Sequence, residues 1–212
     1  MSGSDTSERL AILVHEVRSP VAALAAIAEA CRGERLAPDA RRSLVDLALA
    51  ACRGIERNVV DASVASVRLE PVDLGRLVHG AVAVATLGGA RVRAEVENDL
   101  PPLLADALRI RQALDNLIGN AVAHAESEDE VVVRAHERDG QLLLSVADAG
   151  RGIPADEHDR IFEAGVRLGG DSAGSGLGLA VVRAVAEAHG ASLQLESAPG
   201  RGAVFTLAFP GR

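Results

Sequence analysis

The sequence predicts an α+β protein: an N-terminal helical hairpin over residues 1–70, then an α/β sandwich over residues 71–212. Three observations predict it. Before Pro71, apolar residues recur at spacings of three and four in two long runs. After Pro71, short alternating runs mix with helical ones. Glycines and prolines separate the elements of the second half.

Each element has its own signal. Leu10, Val14, Val17, Val21, Leu24 and Ala28 form the first stripe. Leu44, Leu47, Ala51, Ile55, Val59, Ala62 and Leu69 form the second. Gly33 suits a helix end and Pro38 a first turn, so the helices are expected over 7–32 and 38–68. Two helices alone cannot hide both stripes from water. A homodimer, with the two hairpins forming a four-helix bundle, solves that. Pro71 is expected to break the second helix. Beyond it the patterns predict a helix over 74–87 and a strand at Val92, Ala94 and Val96. Pro101 and Pro102 punctuate the chain, and a helix follows over 107–125. Strands over 130–137 and 141–148 join across Arg138, Asp139 and Gly140. A short helix near 156–162, a helix over 178–189 and strands over 191–197 and 203–209 complete a mixed sheet with helices on one side.

Composition narrows the function. The net charge is −8, so a bulk electrostatic grip on nucleic acid or an anionic membrane is not expected. Three Phe, no Tyr and no Trp leave no aromatic platform for bases. The two cysteines, Cys31 and Cys52, form no CxxC pair and read as small buried hydrophobes in a reduced, cytoplasmic protein. No run reaches a membrane-spanning length, so no membrane insertion and no signal peptide are expected. Residues Met1 to Ser4 read as a tail.

Four motifs carry chemistry. In His15-Glu16-Val17-Arg18-Ser19-Pro20 the apolar seam uses positions 14 and 17, which turns His15 beside the stripe toward solvent. An unprotonated imidazole nitrogen is a competent nucleophile near neutral pH. Glu16 can take a proton from the other ring nitrogen. Pro20 removes a helix hydrogen bond and predicts a kink. Taken alone, this is equally an ordinary surface His–Glu pair.

In Asp115-Asn116-Leu117-Ile118-Gly119-Asn120, the two Asn lie four apart and project from one helix face. Asn disfavours helix interiors, and its amide oxygen is a suitable hard ligand for Mg²⁺. A merely polar helix face reads the same way. In Asp148-Ala149-Gly150-Arg151-Gly152, a strand-end Asp can accept a hydrogen bond from the exocyclic amine of adenine. The two glycines permit close approach or a sharp bend; a plain Asp-Gly turn also fits. In Gly174-Ser175-Gly176-Leu177-Gly178-Leu179, glycine-rich backbone runs into an apolar helix. Such a helix start presents amides and a positive dipole end to phosphate. It lacks the Lys-Ser/Thr of a P-loop and follows a loop, which excludes a dinucleotide fingerprint. Glycines over 165–178 suit a mobile lid or a flexible linker. Pro199-Gly200-Arg201-Gly202 reads as a structural turn.

In this order the motifs resemble those of the two-component sensor histidine kinases, from about Glu8 to the end of the chain. They match a phosphoacceptor box, an asparagine box, a glycine box with Asp, a Phe-containing box and a GxGLGL box. The second half is similar to the GHKL fold of Hsp90, gyrase B and MutL proteins. The resemblance implies ATP and Mg²⁺ as cofactors and His15 as phosphoacceptor, with Glu16 its acid/base partner. It implies Asn120 as the Mg²⁺ ligand, Asn116 on the phosphate side and Asp148 as the adenine reader. Gly150 and Gly152 then shape the base pocket, and Phe162 anchors the lid. Gly174, Gly176 and Gly178, with Leu177, enclose the phosphates. It further implies transfer of the phosphoryl group to an Asp on a response-regulator receiver domain, with the signal supplied by residues beyond this sequence or by a separate sensor protein.

Four positions depart from the pattern. Ala123 and His124 stand where the family has a basic and an aromatic residue, so His124 would stack on adenine in place of Tyr. Ala149 replaces an Asn. Ser19, one helical turn after His15, stands where the phosphatase motif has Thr or Asn; its hydroxyl can orient water. The lid, 163–173, is short. Two alternatives stay open: a histidine phosphotransfer adaptor and a nucleotide-binding pseudokinase scaffold.

Overall fold

The computed structural model describes residues 21–22, 24–29, 42–49, 51–52, 55, 67–125, 129–166 and 176–211. The chain divides into two units, Met1–Ala62 and Ser63–Arg212.

Every described residue of the first unit is helical. In the second run the half-buried positions are Leu44, Ala48, Ala51 and Ile55. Leu47, expected on the stripe, is exposed, as are Val21, Val45 and Leu49. Cys52 is also exposed, which corrects the buried reading. It follows Ala51 by one position, about 100° around the helix from that stripe. His15, Glu16, Ser19 and Cys31 lie outside the described residues, and so does the turn of the hairpin.

The second unit runs β1 (Glu70–Val72), α1 (Leu74–Leu87), β2 (Val92–Val96), β3 (Leu103–Ala105), α2 (Ala107–His124), β4 (Val131–Arg138), β5 (Gln141–Asp148), α3 (Gly178–Ala188), β6 (Ser192–Ser197) and β7 (Ala203–Phe209). Five strands form one mixed sheet in the order β2-β4-β5-β7-β6. The β2–β4 pair is parallel and the other pairs are antiparallel. Val133, Val146 and Phe205 lie opposite one another across β4, β5 and β7, and all are buried. Leu74 and Val78 of α1, Leu114 and Leu117 of α2, and Val182 and Val185 of α3 complete the core. With so few aromatics, aliphatic side chains fill most of it.

Three local expectations need correction. Pro71 does not directly end a helix: residues 67–69 before it are not helical. It lies within β1, which pairs antiparallel with β3, Pro71 opposite Leu104. Proline is tolerated there because the two-stranded ribbon leaves an edge that needs no donor from it. β3 itself, at Leu103–Ala105 just after the two prolines, was not expected; three residues carry too little periodicity to announce a strand. The segment near 156–162 is two 3₁₀ turns, Ala155–Glu157 and Arg160–Phe162, not one helix.

The hairpin between β4 and β5 is tighter than expected. Arg138 is still paired with Gln141. Asp139 and Gly140 alone make the turn, both with positive φ (52° and 75°). That is the twist a two-residue hairpin requires.

Candidate nucleotide site

Asn116, Asn120 and His124 form one row along α2, four residues apart and each half-buried. The row has a glycine at each end. Gly178 opens α3 beside Asn116, where an added Cβ would lie 3.6 Å from Asn116 Oδ1. Gly150 abuts the other end, where a Cβ would fall 2.2 Å from the His124 carbonyl oxygen. Only a glycine permits that approach. The asparagine helix, the Asp148 loop and the start of the glycine-led helix therefore meet along one line, although they are far apart in sequence.

α1 and α2 are each closed at the N-terminus by a carboxylate, Asp73 and Asp106. At the start of α3 the N-cap position is Leu177, whose own side chain makes no capping bond. The first amides of a helix and its positive dipole end favour an anion. Just before it, Gly176 (φ 73°) packs on Gly165, with a Cβ at position 176 falling 2.9 Å from the Gly165 carbonyl carbon. The Gly165 N–H donates to Gly176 O at 3.1 Å. The two glycines thus hold together the ends of the loop between them. Gly174 lies outside the described residues. Phe162 is half-buried and meets Phe205 edge-to-face, centroids 6.1 Å apart. It pins the second 3₁₀ turn to the core.

Asp148 ends β5. Its Oδ1 accepts the Gly150 N–H at 2.9 Å, and the Ala203 amide also donates to its carboxylate. Burial pushes the Asp148 carboxyl above the ordinary carboxylate range, while those two amides and nearby His124 pull it back. His124 is pushed the other way. Burial and the Arg151 charge hold its imidazole below the ordinary value of 6.5, against the attraction of Asp148. A neutral ring beside a carboxylate suits the edge and face of a purine.

The His124 shift has a sign that can be measured. Its folded pKa is lowered, so protonation favours the unfolded chain. The stability tied to the neutral ring is complete above 6.5 and is lost as pH falls through 6.5 toward the lower folded value. The difference in thermal midpoint between the unsubstituted chain and His124→Gln is expected to shrink over that window. A pH-independent difference would contradict it.

Sequence reasoning missed one part of the site. The turn between β6 and β7 interlocks with the Asp148 loop. Gly152 (φ 68°) faces the Ala198 carbonyl, and a Cβ there would lie 1.9 Å from the oxygen. Gly202 (φ 67°) faces the Asp148 carbonyl, with a Cβ at 2.0 Å. Hydrogen bonds fasten the two segments: Gly200 N–H to Arg151 O at 2.7 Å, and Gly202 N–H to Gly150 O at 3.0 Å. Ser197 Oγ accepts the Ile153 N–H at 2.9 Å and donates to Gly202 O at 2.6 Å. The Gly-Arg-Gly spacing was visible in the sequence; that it faces the other glycine loop was not.

Residues 105–212, half of the chain, match the family described as histidine kinase-, DNA gyrase B- and HSP90-like ATPases. The chain belongs to that family. The chain is 31% identical over 208 residues to the sensor protein DivL of Caulobacter vibrioides, covering 92% of the chain and 27% of DivL. It is 30% identical over 213 residues to the sensor-like histidine kinase SenX3 of Mycolicibacterium smegmatis, covering 92% of the chain and 55% of SenX3. Full-length ShkA, solved in complex with AMPPNP, superposes with a TM-score of 0.68 at 30% identity, covering 96% of this chain and 46% of ShkA. The chain thus spans about half the length, or less, of these relatives. Its α+β nucleotide-binding fold is that of the family. Among the described residues no helix is long and apolar enough to cross a membrane.

Proposed function

We propose that this chain is a histidine autokinase of two-component signalling, transferring the γ-phosphoryl group of ATP to His15. The observation that supports it most is the line of groups along α2. Asp148 and neutral His124 stand at one end, and Asn116 with the glycine-led start of α3 at the other. From Asn116 to His124 the helix rises about 12 Å, a span suited to an extended nucleoside triphosphate. Asp148 accepts the adenine amine, His124 lies against the base, and Gly150 and Gly152 shape its pocket. Gly174, Gly176, Leu177 and Gly178 face the phosphates, and Phe162 anchors the segment that covers them.

The donor set suits Mg²⁺. Among the described residues no three His, Cys, Asp or Glu gather to hold a metal. A metal here takes Asn120 as a protein ligand and shares its other positions with phosphate and water, the habit of Mg²⁺. When bound, it neutralises phosphate charge. In the transfer an imidazole nitrogen of His15 attacks the γ-phosphorus. The N–P bond forms as the bond from phosphorus to the β,γ-bridging oxygen breaks, and ADP leaves. Glu16 accepts the proton from the other ring nitrogen.

The rest of the reading concerns residues 1–70. They form the dimerisation and phosphoacceptor hairpin, and residues 71–212 the ATP-binding domain. Half-exposed Val21, Val45, Leu47 and Leu49 supply apolar surface for a second copy of the hairpin, giving a dimeric bundle. A receiver-domain Asp takes the phosphoryl group from His15 in the cytoplasm. Ser19 orients a water for phosphatase activity, in which that water takes the phosphoryl group from the receiver Asp as inorganic phosphate.

One experiment separates this from its rivals. Incubation with Mg-ATP labelled at the γ-phosphate is expected to give acid-labile label, absent in His15→Gln. Nucleotide binding without label is the result for a pseudokinase scaffold. No nucleotide binding is the result for a phosphotransfer adaptor.

A further inference from the structure

Asp106 lies outside the nucleotide site, yet three segments converge on it. Its Oδ1 accepts the Leu108 and Arg109 amides at 3.1 and 3.2 Å, capping α2. Its Oδ2 accepts the Arg68 amide at 2.9 Å. Arg68 stands at the entry to the second unit, two residues before β1. The backbone N–H of Asp106 donates to His189 Nε2 at 3.0 Å. His189 follows α3, and its Nδ1 lies 2.7 Å from Val185 O. The carbonyl can only accept, so Nδ1 carries the proton and Nε2 is the acceptor. Burial works against the Asp106 charge, but the amides of Arg68, Arg109 and Leu108 outweigh it and hold the carboxyl below its ordinary value.

The arrangement has a direction. α2 carries Asn116, Asn120 and His124, and α3 begins at Gly178. Asp106 and His189 hold these two helices together at the N-terminus of one and the C-terminus of the other. The same carboxylate holds the incoming chain, and β1 paired with β3 extends that hold as far as Val72. A helix is stiff over this length, so loosening the junction leaves the rows of groups on α2 and α3 intact and changes how the incoming chain is held to them.

We propose that Asp106 and His189 are positioning residues for phosphoryl transfer: they fix the incoming chain to both helices of the nucleotide site. This rests on the kinase reading above. The groups that touch nucleotide are not altered by loosening the junction, so nucleotide affinity is spared while transfer suffers.

Asp106→Asn isolates the effect. Asn caps helices as well as Asp, but one of its two oxygens becomes an amino group, so the cap survives and the Arg68 bond is lost. His189→Leu removes the acceptor. His189→Gln keeps an amide oxygen within reach of the same N–H. In the full chain, Asp106→Asn and His189→Leu are each expected to slow labelling at saturating ATP about tenfold, because small misplacements of reacting groups are costly. The Kd for ADP should stay within about threefold, as for a group acting only in the transfer step. His189→Gln should recover most of the rate. Amide exchange across residues 68–72 should accelerate in His189→Leu, although that side chain does not touch them. An unchanged rate overturns the proposal, as does a rate loss matched by equal loss of ADP affinity. Should the unsubstituted chain take no label, the kinase reading fails. Exchange at 68–72 then decides the junction: faster exchange in His189→Leu supports it, unchanged exchange overturns it.

Discussion

Gly202→Ala is expected to abolish nucleotide binding by this chain. An added Cβ would lie 2.0 Å from the Asp148 carbonyl oxygen and 2.9 Å from Ala149 Cα. Both are backbone atoms and cannot rotate away. The residue also has φ 67°, which costs a side-chain-bearing residue about 1 kcal/mol before any clash. Relief requires the turn to part from the Asp148 loop, which breaks the Gly202–Gly150 bond and the Ser197 bridge. The Asp148 carboxylate, proposed above as the adenine reader, is then displaced. Two controls separate this from a general intolerance of alanine. Gly200 has φ 74°, but an added Cβ meets nothing within 4 Å; alanine there costs about 1 kcal/mol and leaves binding intact. Gly119 lies inside α2 with open space around it; alanine there stabilises the helix by about 0.5–1 kcal/mol. Titration with a fluorescent ATP analogue, together with thermal midpoints, gives the ranking. Tight binding by Gly202→Ala would refute the interlock.

Asp148→Asn weakens ATP binding about 10- to 100-fold without destabilising the free protein. The affinity loss follows from the proposed contact, in which an acceptor opposite the adenine amine is exchanged for a donor; hydrogen bonds to charged groups contribute about 1.5–3 kcal/mol. Stability moves differently. The folded pKa of Asp148 is raised, so the folded state binds this proton more tightly than the unfolded chain. The ionised carboxylate therefore costs stability above its folded pKa, and that cost disappears as pH falls below the ordinary value of 3.8. Asn carries no charge to desolvate, and its oxygen still accepts one of the two amides. The thermal midpoint at neutral pH should hold or rise while calorimetric affinity falls. ATP binding by the unsubstituted chain should also weaken on acidification as Asp148 takes its proton, starting on the neutral side of the carboxylate range. Affinity unchanged by the substitution would remove Asp148 from base recognition.

How much was legible in the sequence depended on how local the signal was. α1, α2, α3 and the strands β2, β4, β5, β6 and β7 announce themselves through periods of 3.6 and 2 sustained over five or more residues. Spacing put Asn116 and Asn120 on one helix face, and the alternation put Asp148 at a strand end; what they do there came only from the resemblance to the histidine kinases. β1 and β3 did not. Each is three residues long, and what makes them strands is each other, thirty residues away. Cys52 was misplaced for a related reason: composition ranks cysteine as buried, but its position around the helix decides.

The candidate site divides the same way. Residue type and order in the chain, through the resemblance to the histidine kinases, pointed to the groups proposed to meet a nucleotide. Tertiary structure decided what holds them. The Gly202 turn against the Asp148 carbonyl, Gly150 against the end of α2, and His189 on the Asp106 amide are contacts between segments dozens of residues apart. No periodicity records such pairs. Backbone carbonyls and amides are identical at every position, so their pairing across the fold leaves no mark in the sequence except, at the closest approaches, a glycine.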